Sequence, residues 1–135
     1  MSETIARLRP SILVIEDNPA NMMLVVAVLE RAGFRCAQAS SAEEARRLIE
    51  SSSPDLILMD IQLPGEDGLS FTRELKTNLT TAHIPIIALT AHAMKGDEVQ
   101  AIAAGCDAYV AKPIDTRNFA TFVTQFLPRQ AETVE

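Results

Sequence analysis

Glu16, Asp17, Asp60, Thr90 and Lys112 are residues of types that do chemistry, and each falls at or just past the end of a short apolar run. The runs are ILVI before Glu16, LILM before Asp60, IPIIAL before Thr90 and AYVA before Lys112. A carboxylate at the tip of a buried run calls for explanation, because a lone buried charge is costly and needs a partner. Singly, each residue has a plain reading. An acid after a strand is most often a helix N-cap, Thr90 is turn chemistry, and Lys112 is a solvated surface lysine. If the runs are parallel strands of one sheet, however, their ends share an edge, where three carboxylates, a hydroxyl and an ammonium converge. Carboxylates that close repel one another and raise each other's pKa unless cations intervene. A divalent ion with hard oxygen ligands resolves the repulsion, and Mg²⁺ held by a few carboxylates plus a phosphoryl group fits the set. Lys112 then offers a point charge for an anion, and Thr90 a hydrogen-bond donor. Such a site suits phosphoryl transfer, where the oxygens need electrostatic clamping and a carboxylate can be the nucleophile. Asp60 is the nucleophile candidate, with acids on one side and Thr90 and Lys112 on the other.

The elements that must position these residues alternate short apolar runs with longer helical patterns, the mark of βα units around a parallel sheet. SILVIE reads as a strand covered on both faces. Asn18 and Pro19 read as N-cap and first residue of a helix that runs to about Ala32 and closes at Gly33. FRCAQAS, from Phe34, is a weaker alternating strand suited to a sheet edge. Ser40 and Ser41 stand three residues before Glu43 and Glu44, two overlapping capping boxes for the second helix, and Pro54 ends that segment. The third helix is expected from near Glu66 or Asp67, turning Leu69, Phe71 and Leu75 inward. Gly96, a poor residue inside a helix, puts the start of the fourth helix near Asp97. Phe119, Phe122, Val123, Phe126 and Leu127 make one apolar stripe, with Asp115 as N-cap, Ile114 and Phe119 as hydrophobic staple and Pro128 as stop. Five strands and five helices give an open α/β sandwich, in which ligands bind at the carboxyl ends of the strands near the point where strand order reverses.

At 135 residues, 47% hydrophobic and 22% charged, the chain suits one folded domain rather than a disordered segment. A net charge of −6 and the lack of a basic stripe argue against a nucleic-acid surface. The run MMLVVAVL is too short to cross a bilayer, and MSETIARLRP carries no signal-peptide core. Cys36 and Cys106 are too few and too far apart for a disulfide scaffold or a CxxC site, so they read as reduced core residues of a cytoplasmic protein.

Four blocks in order, VIEDN, LILMDIQLPGEDG, IIALTA and AYVAKPI, resemble the signature of two-component response-regulator receiver domains of the CheY-like kind. The resemblance covers Ser11 to Leu127. More narrowly, AHIPIIALTAHAMKGDE followed by GCDAYVAKPI is similar to stand-alone receivers of the DivK type and to receivers attached to hybrid kinases. It implies an open, doubly wound, five-stranded parallel α/β sheet with the flavodoxin-like order 2-1-3-4-5. Residues 1–10 would be an N-terminal extension, 11–127 the receiver domain and 128–135 a flexible C-terminal tail.

The resemblance also implies roles. Asp60 would accept a phosphoryl group from a histidine kinase or histidine phosphotransfer protein. Asp17, Asp60 and the main-chain carbonyl of Gln62 would hold Mg²⁺, with Glu16 helping through water and Mn²⁺ as the alternative ion. Lys112, Thr90 and Ala91 would bind the phosphoryl oxygens, Thr90 and Tyr109 would move together as a switch, and the Lys112–Pro113 peptide would be cis. Gln62 and His92, each two residues past a site residue, fall where the family varies and where hydrolysis rate is tuned. A simple rim position is an equal reading of His92, His83 reads as a loop residue, and the plain reading of Tyr109 is a half-buried strand aromatic. Downstream target proteins would read the surface of the fourth helix, fifth strand and fifth helix. The implied protein is a cytoplasmic switch rather than an enzyme acting on outside substrates, with no nucleic-acid or membrane partner.

Two other classes compete. An aspartyl-nucleophile phosphatase resembles the pattern D-x-D, whose second acid protonates the leaving group, and here that position is Gln62. A nucleotide-binding flavodoxin-like protein would want a glycine-rich loop after the first strand, and none follows. Within the family, a degenerate receiver that binds partners independently of phosphorylation is the alternative; such proteins usually lose one of the acids, the threonine or the lysine, and all are present here.

Overall fold

Five short strands, Ser11–Ile15 (β1), Arg35–Ala39 (β2), Leu56–Asp60 (β3), Ile86–Thr90 (β4) and Ala108–Ala111 (β5), form one parallel sheet in a computed structural model that describes residues 9–91 and 95–127. The strand order is β2-β1-β3-β4-β5, so the winding reverses between β1 and β3. Helices α1 (Pro19–Arg31), α2 (Ala42–Ser51), α3 (Gly68–Thr77), α4 (Lys95–Ala104) and α5 (Phe119–Thr124) complete the flavodoxin-like architecture.

The alternation of side chains along each strand feeds two separate cores. Leu13, Ile15, Ile57, Met59, Ile86 and Ala88 pack with Ala45 of α2, Phe71 and Leu75 of α3 and Ala101 of α4. Ile12, Val14, Leu56, Leu58, Ile87 and Leu89 pack on the other face with Val25 and Leu29 of α1 and Phe119 and Val123 of α5. Every residue of β3 and β4 is buried, which is why their sequences are unbroken apolar runs. Each such Leu, Ile or Phe contributes roughly 1.5–3 kcal/mol by leaving water. β2 pairs only with β1, and exposed Arg35 and Gln38 mark it as the edge.

Local chemistry sets the helix starts. Asn18 Oδ1 accepts from the Asn21 amide at 3.0 Å, with Pro19 in the first turn, and Gly33 takes φ 101° just past the helix end. Neither of the two expected capping boxes closes on its own serine, and Ser41 makes only the forward half. Its hydroxyl accepts from the Glu44 amide at 3.1 Å, while Glu44 reaches back to the Ser40 amide at 2.7 Å. Glu43 turns outward to Arg47 instead. Asp67 caps α3 by accepting from the Leu69 amide at 3.0 Å.

Two starts differ from expectation. α4 is described from Lys95 rather than from near Asp97, so Gly96 lies inside the helix. α5 begins at Phe119 with Asn118 as its N-cap, so Asp115 is not the cap. Asp115 instead organises the turn before it, its carboxylate accepting from the Arg117 amide and its carbonyl from the Asn118 and Phe119 amides. Ile114 and Phe119 are nevertheless both buried in one core. The helix ends at Thr124, and Phe126 and Leu127 continue the apolar stripe from the turn that follows. His92, Pro128 and the outer parts of the expected terminal segments lie outside the described residues.

Cys36 and Cys106 are free thiols, and burial, helped by the charge of Glu30, pushes Cys36 up to about 12, an unreactive state. Among the described residues, no helix is long and apolar enough to cross a membrane.

Candidate functional site

The parallel register carries the strand ends to one edge. Asp60 is opposite Leu89 on β4, and Thr90 is opposite Ala111, one residue before Lys112. The Glu16 amide donates to Ala39 O and the Lys112 amide to Thr90 O, extending the ladders one step beyond β1 and β5. Backbone pairing, not side-chain preference, therefore fixes where the functional groups stand.

One carboxylate oxygen from each of Glu16, Asp17 and Asp60 lies within 4.8 Å of the others. Glu16 and Asp60 are buried, at 2% and 3% exposure, while Asp17 opens to solvent. The Lys112 ammonium donates to Glu16 Oε1 at 2.8 Å and to Asp60 Oδ2 at 3.2 Å. The remaining carboxylate oxygens are met by amides: Gln62 N–H donates to Asp60 Oδ1 at 2.9 Å and Asn18 N–H to Glu16 Oε2 at 3.1 Å. A cleft of about 340 Å³ adjoins the acids, lined by Glu16, Asp17, Pro19, Met22, Gln38 and neighbouring residues.

The electrostatics follow from this crowding. Burial raises the Asp60 pKa to about 6; the Gln62 amide and the Lys112 charge pull it down, while the hydrogen bond with Glu16 and its charge push it up. Burial acts to lower the pKa of Lys112, but the Glu16 hydrogen bond and the two carboxylate charges leave it above its ordinary value. Thr90 is fully buried. Tyr109, half-buried on β5, has its phenol pKa raised by burial and by the charges of Asp97 and Glu98, against a hydrogen bond with Thr90 that lowers it. The Lys112–Pro113 peptide is cis. Ala91, next to Thr90, is exposed at the rim, as is Gln62 beside Asp60.

The donor chemistry fits a hard cation. Three carboxylates, with all-oxygen donors and one solvent-facing member, suit Mg²⁺, which keeps several waters and takes few protein ligands. A single lysine balances only part of that charge.

Some contributors were not visible in the sequence. Gly68 lies so close to the site that a Cβ there would stand 2.6 Å from Asp60 O and from Ile61 Cα, a backbone approach that only glycine permits. A glycine shortly after a strand-ending acid is the signal that could have marked it. The Arg46, Glu66 and Glu74 cluster, spanning α2, the β3–α3 loop and α3, gave no sequence signal, since it depends on helix packing.

A doubly wound sheet with an acid cluster and a lysine at its carboxyl edge, beside the reversal point, places these groups where open α/β sheets bind their ligands. The family profile of the response regulator receiver domain matches residues 12–124, and the chain belongs to that family, a component of two-component signalling. A polar-differentiation response regulator, DivK, of Brucella ovis is 44% identical over 117 residues, covering 87% of this chain and 95% of its own length. Among solved structures, the receiver domain of a sensor histidine kinase from Pseudomonas aeruginosa, with a magnesium ion coordinated in its active-site cleft, is 36% identical with a TM-score of 0.80, covering 87% of this chain and 97% of that one. A CheY-like receiver domain protein from Methanospirillum hungatei has a TM-score of 0.81 at 26% identity, covering 93% and 98%.

Proposed function

We propose that this protein is a phosphorylation-controlled switch in which Asp60 accepts a phosphoryl group from the phosphohistidine of a kinase or phosphotransfer protein. The observation that carries the reading is the convergence of Glu16, Asp17 and Asp60 on the Lys112 ammonium at the sheet edge. The ion that the acids would hold, Mg²⁺ or in its place Mn²⁺, supplies charge neutralisation for the phosphoryl oxygens when bound. Asp17, Asp60 and the Gln62 carbonyl would hold it directly, and Glu16 would help through water. Asp60, ionised, forms the new O–P bond while the N–P bond of the donor breaks, and the electron pair leaves with the donor imidazole. Lys112 meets the negative oxygens of the transferred group, and the Thr90 hydroxyl and Ala91 amide meet the others. As Thr90 turns to the phosphoryl group its contact with Tyr109 changes, so α4, β5 and α5 shift toward a geometry that a downstream protein binds. Val99 and Ile102, exposed apolar residues of α4, suit that role. Gln62 and His92 set the hydrolysis rate, no outside substrate is turned over, and the protein works in the cytoplasm.

Intact mass after incubation with Mg²⁺ and acetyl phosphate, beside Asp60→Asn, tests this. A single labile phosphoryl group on the wild type alone is the expected result. No mass gain from this donor or from a phosphohistidine donor, with Mg²⁺ bound, would sink the switch reading in favour of a phosphorylation-independent interaction module.

A further inference from the structure

Arg46, on α2, joins three elements. Its Nε and Nη2 fork onto the two carboxylate oxygens of Glu74 on α3, at 2.7 and 2.6 Å, and Nη2 also reaches Glu66 in the β3–α3 loop at 2.6 Å. The guanidinium stacks over Phe71, 4.8 Å from the ring centroid. A bidentate, stacked arginine is pre-organised in a way that an ordinary surface ion pair is not.

The loop it holds, residues 61–67, follows Asp60 directly and carries Gln62. Gly68 N–H closes it onto Ile61 O at 3.1 Å, and Leu63 anchors it in the core. Toward α2 the packing is open: Pro64, Gly65 and Glu66 face Ser41 to Arg46 across a cleft of about 280 Å³. The Arg46–Glu66 contact spans that cleft.

We propose that Arg46 is a positioning residue for the metal site, setting cation affinity by fixing, through Glu66, the loop that presents the Gln62 carbonyl. This rests on the metal reading above and adds a residue on α2, a helix that supplies no ligand. A partner that pulled Arg46 or Glu66 away would thereby loosen the metal.

The test is Mg²⁺ titration of the full chain and of Arg46→Met and Glu74→Ala, followed by the NMR amide shifts of Gln62 and Leu63. Arg46→Met is expected to need about tenfold more Mg²⁺ for half-saturation, the lower end of the cost of losing a supporting contact behind a metal ligand. Glu74→Ala removes the bidentate arm but leaves Arg46 its contact with Glu66 and its stacking on Phe71, so it is expected to lose clearly less affinity than Arg46→Met. The sign decides. Deleting a positive charge near an acidic site tightens cation binding by simple electrostatics, so tighter or unchanged binding in Arg46→Met overturns the proposal, as does an equal loss in both variants. At saturating Mg²⁺, Arg46→Met should take up phosphoryl groups at the wild-type rate, and a deficit that persists there also overturns it. If the wild type itself fails to bind Mg²⁺, the metal reading falls and this inference with it; wild-type binding with an indifferent Arg46→Met removes the inference alone.

Discussion

Lys112 Nζ stands 2.8 Å from Glu16 Oε1, across the sheet from a strand that is not its neighbour. The same ammonium lies 3.2 Å from Asp60 Oδ2, so one partly buried cation holds two buried anions contributed by β3 and by the end of β1. The arrangement is a charge balance left deliberately short, because Asp17 adds a third carboxylate beside it.

Lys112→Met should expose that shortfall. Removing one partner of a buried ion pair leaves uncompensated charge and commonly costs about 3–5 kcal/mol. The raised Lys112 pKa gives the sign: its contribution is complete at neutral pH, below its ordinary pKa, and is lost only as pH rises through the higher folded value. Urea unfolding without metal should show the loss, and millimolar Mg²⁺ should restore part of it. A variant as stable as wild type without metal would mean that the acids are already neutral.

Asp60→Asn should stabilise the metal-free fold at neutral pH. With a folded pKa of about 6 against an ordinary 3.8, Asp60 binds more protons folded than unfolded between those values, so its contribution to stability falls as pH rises through that window. Keeping it ionised at pH 7 costs roughly 3 kcal/mol by that difference, an upper figure that already includes the attraction to Lys112. The Asn variant should therefore gain about 1–3 kcal/mol at pH 7 and lose its advantage near pH 4, read from denaturation curves at both values.

With Asp60 a metal ligand as proposed, the same titration sets cation affinity. A proton on Asp60 competes directly with a cation, so Mg²⁺ binding should be level above pH 7 and weaken by about tenfold for each pH unit well below 6. Titrations at pH 7.5 and 5 read this. Equal affinities at the two would place Asp60 outside the metal shell.

Much of this was legible in the chain because strand ends are cheap to read. Unbroken apolar runs mark strands buried on both faces, and a residue of unlike chemistry after each run marks the edge where they finish, which is how Glu16, Asp60, Thr90 and Lys112 came to be grouped. Helix starts were less legible. Gly96 and Asp115 each carried a sound local signal, yet the helix accommodates Gly96, and Asp115 uses its acceptors on a preceding turn. The Arg46 cluster was not legible, since which face of α2 meets α3 depends on packing that no local pattern encodes. The close approach of Gly68 to the Asp60 carbonyl belongs with it, because loop closure brings together atoms that the sequence only places in order.

Gly68 yields the last prediction. An added methyl would sit 2.6 Å from Asp60 O and Ile61 Cα, both backbone atoms that cannot rotate away. Gly68→Ala must therefore displace either the first turn of α3 or the end of β3, and overpacking of this kind typically costs about 1–3 kcal/mol. Alanine's better helix propensity returns at most about 1 kcal/mol, so the net is a loss. If β3 yields, Asp60 moves relative to Lys112, and phosphoryl uptake falls together with stability. If α3 yields, stability falls while uptake holds. Melting temperature and acetyl phosphate labelling on one sample separate the two, and a variant that matches wild type in both would show that the close approach is not maintained in solution.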